Sequence, residues 1–374
     1  MLALLLLALP HGCKEGSRFE DCEEYLRCLA DPPSCTELVI EDDPTDPDGG
    51  SHNIIGTIPS AIGNLFALTN LVIAESRVSG TIPHTIGLLT MLESLDLASA
   101  AKSGESGQLS GTLPTSLGNL VRLEILLVYQ TQISGTLPPS LGELTALELM
   151  SMFGNLFTGV IPEIIFELTT LTDLDLSINK LSGTLSESCT ELTALTQLAV
   201  ANNFLSGTLS ENIGKLLALE ELRMDSNYLS GTLPETIGEL TALALLSSHD
   251  NCLSGTLSET IVDLTALAYL TLHDNQLSGT LPQSIGKMTA LTWLQLSNNK
   301  ISGTVPDTLS ALTSLTTLYL QNNSFTAVGG GICAIQDFLT SGCDLSNNEF
   351  PGTYDAQGGK MNCPVCLNDD GNCN

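Results

Sequence analysis

Asp225, His249 and His273 follow one another at intervals of 24 residues, and Asp250 and Asp274 stand directly after the two histidines. If each 24-residue period adds one strand to a parallel sheet, these side chains form a column with steps of about 4.8 Å. A column of imidazole and carboxylate can hold Zn²⁺ or Cu²⁺. Protonation at about pH 6 can also tune a contact there. A variable solvated surface accounts for the same pattern, so no metal and no other cofactor is assigned.

A second constellation is aromatic. Tyr269, Trp293 and Tyr319 fall in consecutive periods beside His273, and Trp293 is the sole Trp of the chain. Exposed aromatic side chains carry much of the energy of interfaces and stack on sugars. With Arg223 they complete a candidate ligand-binding set: Trp293, Tyr269, Tyr319, His249, His273, Asp225 and Arg223. Tyr129 and Phe153, with Leu127, form a smaller apolar group earlier in the chain. No nucleophile elbow, zinc-protease helix, phosphate loop or dinucleotide fingerprint occurs. Acid pairs such as Glu220-Glu221 are uninformative in so acidic a chain, and the chain reads as no enzyme.

The elements that position these residues are repeats. One copy runs from Leu195 to Ala218, and the next begin at Leu219, Leu243, Leu267, Leu291 and Leu315. A fixed period in this range marks a solenoid. Leu-x-x-Leu-x-Leu-x-x-Asn-x-Leu alternates inward leucines with variable residues, which is the period of a strand. Such short strands need identical neighbours, so the copies stack into a parallel sheet. The recurring Asn closes the turn by satisfying backbone groups; Asn155, Asn179, Asn203, Asn227, Asn251, Asn275, Asn299, Asn323 and Asn347 are assigned to this rung. Ser76 and Thr131 replace it in early repeats. The second half, Leu-Ser-Gly-Thr-Leu-Pro-x-x-Ile-Gly-x-Leu, bends at Gly and stops strand growth at Pro. Its Ile-Gly-x-Leu part is expected to form a 3₁₀ turn or short helix. Narrow strands on one side and wider coils on the other predict a curved stack with a concave sheet.

This motif, over roughly residues 36–350, resembles the plant-type leucine-rich repeat. The resemblance implies an α/β solenoid: a right-handed curved superhelix with a parallel β-sheet on the concave face, short 3₁₀ or helical turns on the convex face, and disulfide caps. It includes receptor ectodomains, polygalacturonase-inhibiting proteins and ice-binding proteins, so it specifies fold more than function. The Cys28…Cys35-Thr-Glu-Leu-Val-Ile entry resembles the family's disulfide N-cap, without its usual Trp residues.

Of eleven cysteines, Cys13, Cys22, Cys28 and Cys35 precede the stack, and Cys333, Cys343, Cys363, Cys366 and Cys373 end it. Two end clusters suggest disulfide-stapled caps in an oxidising compartment. The pairing is open, with Cys22, Cys28, Cys35, Cys333, Cys343, Cys363, Cys366 and Cys373 as candidates. Cys189 replaces an inward Ile and is expected buried; Cys252 is expected as a free thiol.

Residues 1–12 read as a signal peptide, 13–40 as a cysteine-rich cap with the first strand, 41–326 as repeats, and 327–374 as a degenerate last repeat with a C-terminal cap. Inserts interrupt the period at 42–50 and 101–107, and loops on a rigid scaffold often bind ligands. No stretch is long and apolar enough to span a membrane.

The 42 Asp and Glu against 12 Lys and Arg give a formal charge of −30. Such a field repels phosphate backbones, so nucleic-acid and anionic-membrane partners are excluded. The reading is a secreted, non-catalytic recognition module. Its partner is an extracellular protein, peptide or glycan, basic or neutral, bound on the concave sheet. Two alternatives differ in class. A nearly invariant Ser-x-Thr ladder, with Thr208, Thr232, Thr256, Thr280 and Thr304 among its members, would suit an ice- or surface-binding protein. A structural or adhesive coat protein would need no defined ligand. Asn322-Asn-Ser324 is a glycosylation sequon, and a glycan at Asn322 would limit access to the aromatic cluster.

Overall fold

Alternation in the Leu-x-Leu segment makes the strand. In Glu221–Arg223, Leu222 is fully buried while its two neighbours face outward. The computed structural model describes residues 18–40, 54–74, 76–99, 108–329 and 339–350. The signal-peptide reading over 1–12, the inserts at 42–50 and 101–107, and Cys13, Cys333, Cys363, Cys366 and Cys373 lie outside the described residues. The chain forms two compact units, residues 1–182 and 183–374.

In the first unit the strands Glu37–Val39, Asn70–Val72, Ser94–Asp96, Ile125–Leu127, Leu149–Ser151 and Asp173–Asp175 pair in sequence order, all parallel. In the second unit Gln197–Ala199, Glu221–Arg223, Leu245–Ser247, Tyr269–Thr271, Trp293–Gln295, Thr317–Tyr319 and Gly342–Asp344 do the same. The register sets Leu198, Leu222, Leu246, Leu270, Leu294 and Leu318 side by side, each at most 1% exposed. Each such burial contributes about 2 kcal/mol. This is a leucine-rich-repeat solenoid.

Each repeat crosses to a second set of short parallel strands. In the second unit these include Phe204–Gly207, Tyr228–Gly231, Cys252–Thr256 and Gln276–Ser278. A 3₁₀ turn then returns the chain, as at Glu235–Glu239 and Glu259–Asp263. Among the described residues the one α-helix is Glu23–Ala30 in the N-terminal cap.

Two local devices hold successive repeats together. Asn227, Asn251, Asn275 and Asn323 are at most 9% exposed. Asn251 accepts from the Leu229 N–H and donates to the carbonyls of Met224, Ser248 and His249. The serine before each Gly-Thr is the second device. Ser206, Ser230, Ser254, Ser278 and Ser302 donate to the carbonyls of Gly183, Gly207, Gly231, Gly255 and Gly279 at 3.0–3.3 Å.

One sequence assignment is corrected. Asn347 is not on the buried rung; it is exposed, in the left-handed region with φ 54°. Asn348 takes the rung, accepting from Phe325 N–H and donating to the Leu320 and Leu345 carbonyls. Leu318 pairs with Cys343, 25 residues on, so the last repeat carries one extra residue ahead of Gly342.

In the cap, Phe19 and Tyr25 are buried with ring centroids 5.1 Å apart. A Cys28–Cys35 disulfide ties the helix to the segment just ahead of the first strand, with Cα atoms 5.1 Å apart. Cys22 and Cys343 are also disulfide-bonded. Cys189 is buried, and Cys252 is an exposed free thiol.

Candidate functional site

Of the predicted binding set, Arg223, Tyr269, Trp293 and Tyr319 stand at outward positions of the second unit's sheet, and Asp225, His249 and His273 lie two residues past the ends of its strands. Tyr269 and Trp293 are direct cross-strand partners, and Trp293 is followed in its column by Thr317 and then Gly342. Tyr319 stands one column over, opposite Gln295. Its ring leans on the Trp293 indole edge-to-face, with centroids 6.1 Å apart and planes at 79°. A Cβ at Gly342 would collide with the Tyr319 ring, so glycine there makes room for it. The indole N–H donates to Gln295 Oε1 at 3.1 Å, which fixes the ring. Tyr269 is 47% exposed, while Trp293 and Tyr319 are half-buried.

The histidine column is more tightly built. The rings of His249 and His273 stack 4.2 Å apart and within 10° of parallel. Ser247 donates its single proton to Asp225 Oδ1 at 2.9 Å and accepts from the Thr271 hydroxyl at 3.0 Å. It also lies 3.1 Å from His249 Nδ1. With its proton committed, Ser247 can only accept there, so Nδ1 carries the His249 hydrogen. The lone pair of His249 Nε2 then faces Asp225 Oδ2 at 3.7 Å and Asp250 Oδ2 at 3.9 Å. His273 Nε2 lies 3.8 Å from Asp274 Oδ2, and its Nδ1 is buried without a hydrogen-bond partner. Burial, and then the neighbouring His249, push the His273 imidazole below its ordinary pKa; Asp274, Asp250 and Asp225 pull the other way.

Arg223 is exposed, but both Nε and Nη2 are engaged by Glu221 Oε2, at 3.0 and 2.8 Å. Asn322 is exposed with φ 56°; its Nδ2 donates to Asn298 Oδ1 at 2.6 Å and its Oδ1 accepts from Asn347.

Several positions that alternation places on the surface are covered. Ala199, Ala201, Ser247, Ser297 and Thr317 are all at most 9% exposed. Their side chains are too short to clear larger neighbours one strand away. The sequence reading also passed over an exposed aromatic pair, Phe204 and Tyr228, stacked 6.2 Å apart at 13° on the second set of strands. Their 24-residue spacing in the Asn-x-Leu column was the available signal. The Ser-x-Thr ladder is altered most. Its serines are bonded between repeats, and a Cβ on Gly231 would lie 2.7 Å from Thr208 Cγ2, so the threonine methyl covers the next glycine. Only the threonine row faces outward.

A family model described as a leucine-rich repeat region matches residues 201–328. Among solved structures, a TDR receptor is similar over 87% of this chain and 54% of its own, with TM-score 0.78 and 28% identity. The plant peptide hormone receptor RGFR1 in complex with RGF2 covers 79% of this chain and 50% of its own, with TM-score 0.71 and 30% identity. The LRR ectodomain of the membrane receptor kinase GASSHO1/SCHENGEN3 from Arabidopsis thaliana, in complex with CASPARIAN STRIP INTEGRITY FACTOR 2, has TM-score 0.68 and 33% identity, over 79% of this chain and 38% of its own. The chain is a leucine-rich-repeat protein of the plant type. It spans between 38% and 54% of the length of these receptor structures. No curated protein matches the chain. Among the described residues no helix is long and apolar enough to cross a membrane.

Proposed function

We propose that the chain is an extracellular, non-catalytic recognition module that binds a basic or neutral peptide or protein segment. Contact is made on the outward face of the sheet in the second unit, through Tyr269, Trp293 and Tyr319. The observation that supports this most is the braced aromatic group: a T-shaped Trp293–Tyr319 pair beside an exposed Tyr269, with Asp225, Asp250 and Asp274 just past the ends of strands in the same unit. Rigid aromatics offer apolar area at low entropic cost, and the carboxylates select a basic partner. The likeness to peptide-hormone receptor ectodomains supports a peptide-like occupant.

The test is selection from a peptide display library on the folded, oxidised protein, followed by calorimetric Kd measurement with Trp293→Ala. The reading requires basic or neutral peptides whose affinity drops about fivefold or more in the variant. Equal affinity, or no selectable peptide, overturns it. Ice or surface binding through the Ser-x-Thr ladder has lost one of its two hydroxyl rows, and thermal hysteresis in solution is the measurement that would revive it.

A further inference from the structure

We propose that His249, His273 and Asp250 form a binding site for one divalent transition-metal ion of the zinc class. Among the described residues this is the group of His, Cys, Asp or Glu whose donor atoms converge, all within 4.8 Å of one another. The proposal does not rest on peptide recognition, since none of its ligands belongs to the aromatic cluster, although Asp250 is shared with the carboxylates that border it.

Three features of the site point to a cation. The first is an excess of acceptors. In the neutral form with its hydrogen on Nδ1, His249 presents the Nε2 lone pair to two carboxylate oxygens at 3.7 and 3.9 Å. Those distances are too long for hydrogen bonds. Facing lone pairs repel, and a metal ion that both coordinate converts the repulsion into attraction. The second is the spacing. Two ligands of a tetrahedral ion with bonds of about 2.0–2.1 Å lie roughly 3.3 Å apart. Donor atoms within 4.8 Å therefore close on an ion by small side-chain rotations, without movement of the backbone. Asp250 is exposed and free to make that rotation.

The third is the support behind the ligands. Ser247 accepts from His249 Nδ1–H and passes its own proton to Asp225. This chain fixes the tautomer that leaves Nε2 to ligate, the role that outer carboxylates perform for metal-bound imidazoles. His249 and His273 stand one repeat apart with ring centroids 4.2 Å apart, and side-chain rotation that tilts them out of their stack brings a nitrogen of each onto one ion. Two imidazoles and one carboxylate select zinc, copper or nickel over calcium or magnesium, which prefer oxygen donors. Three protein ligands leave a coordination position for water or for a group from a bound partner.

The experiment is calorimetric titration of Zn²⁺ into chelator-treated folded protein, with Ca²⁺ titrated in parallel. The expected result is a single zinc site, weakened by His249→Gln or His273→Gln by about 100-fold or more, and by Ser247→Ala by about tenfold. His84→Gln, on an exposed histidine of the first unit, leaves it unchanged. Cu²⁺ in the site should show electron paramagnetic resonance splitting from two nitrogens, reduced to one in each His variant. Melting curves of the metal-free variants verify that each is folded. Zinc uptake that survives both His substitutions, zinc held no more tightly than calcium, or no uptake would each overturn the assignment.

Discussion

The backbone N–H of Leu229 donates to Asn251 Oδ1, 22 residues further on, at 2.9 Å. The bond ties one turn of the solenoid to the next through a side chain. Asn251 also donates to the Met224 and Ser248 carbonyls, but these keep bonds from Asn227 and Asn275, so its removal leaves one buried donor, the Leu229 N–H, without a partner. Each unsatisfied group costs about 1–3 kcal/mol. Asn251→Ala is therefore expected to lower unfolding free energy by about 1–3 kcal/mol, measured by urea denaturation. A loss below about 1 kcal/mol would show that water replaces the amide.

Gly231 is the second structural test. Its φ is 76°, and a Cβ would lie 2.7 Å from Thr208 Cγ2. Gly231→Ala combines left-handed strain with a steric conflict and should destabilise by about 1–3 kcal/mol. Pairing it with Thr208→Ser removes the methyl. If the conflict matters, the double variant recovers part of the loss; strict additivity would assign the whole cost to backbone strain.

The period made the fold legible. A repeat of apolar residues fixes which side chains face inward, and Leu198, Leu222 and Leu246 lie where alternation put them. Three things were not legible. The extra residue that moves the last rung from Asn347 to Asn348 lies in a degenerate repeat, where counting by 24 has no landmark. Alternation gives a side chain's direction but not its reach, so Ser247 read as surface although it is the buried centre of a relay. That relay joins residues of three successive repeats, and the sequence lists them only as separate columns. The aromatic cluster, by contrast, needed only the column and the residue type.

Tyr25 supplies a pH prediction. Burial, and then the charge of Glu20, raise its phenol above the ordinary 10.0, and among the described residues its hydroxyl has no hydrogen-bond partner. A raised folded-state value means the folded chain favours the protonated phenol. The associated stability is intact below pH 10.0 and is lost as pH rises through the folded value. Tyr25→Phe removes the ionisable group. The wild type should therefore lose melting temperature more steeply than the variant above pH 10.0. Parallel curves for the two proteins would exclude Tyr25 as a cause of alkaline unfolding.

Two exposed tyrosines separate the proposed binding face from the remaining surface. Tyr269 is 47% exposed and pairs across strands with Trp293. Tyr228 is 58% exposed but stacks on Phe204 in the other set of strands. Exposure alone would rank Tyr228 first. A binding energy that depends on a braced aromatic group ranks Tyr269 first, because its neighbour Trp293 is held by Gln295 and by Tyr319. For a peptide selected on this protein, Tyr269→Ala should cost about 1 kcal/mol or more, and Tyr228→Ala less than about 0.5 kcal/mol. The reverse order, read from calorimetric Kd values, would move recognition to the Phe204–Tyr228 side of the repeats.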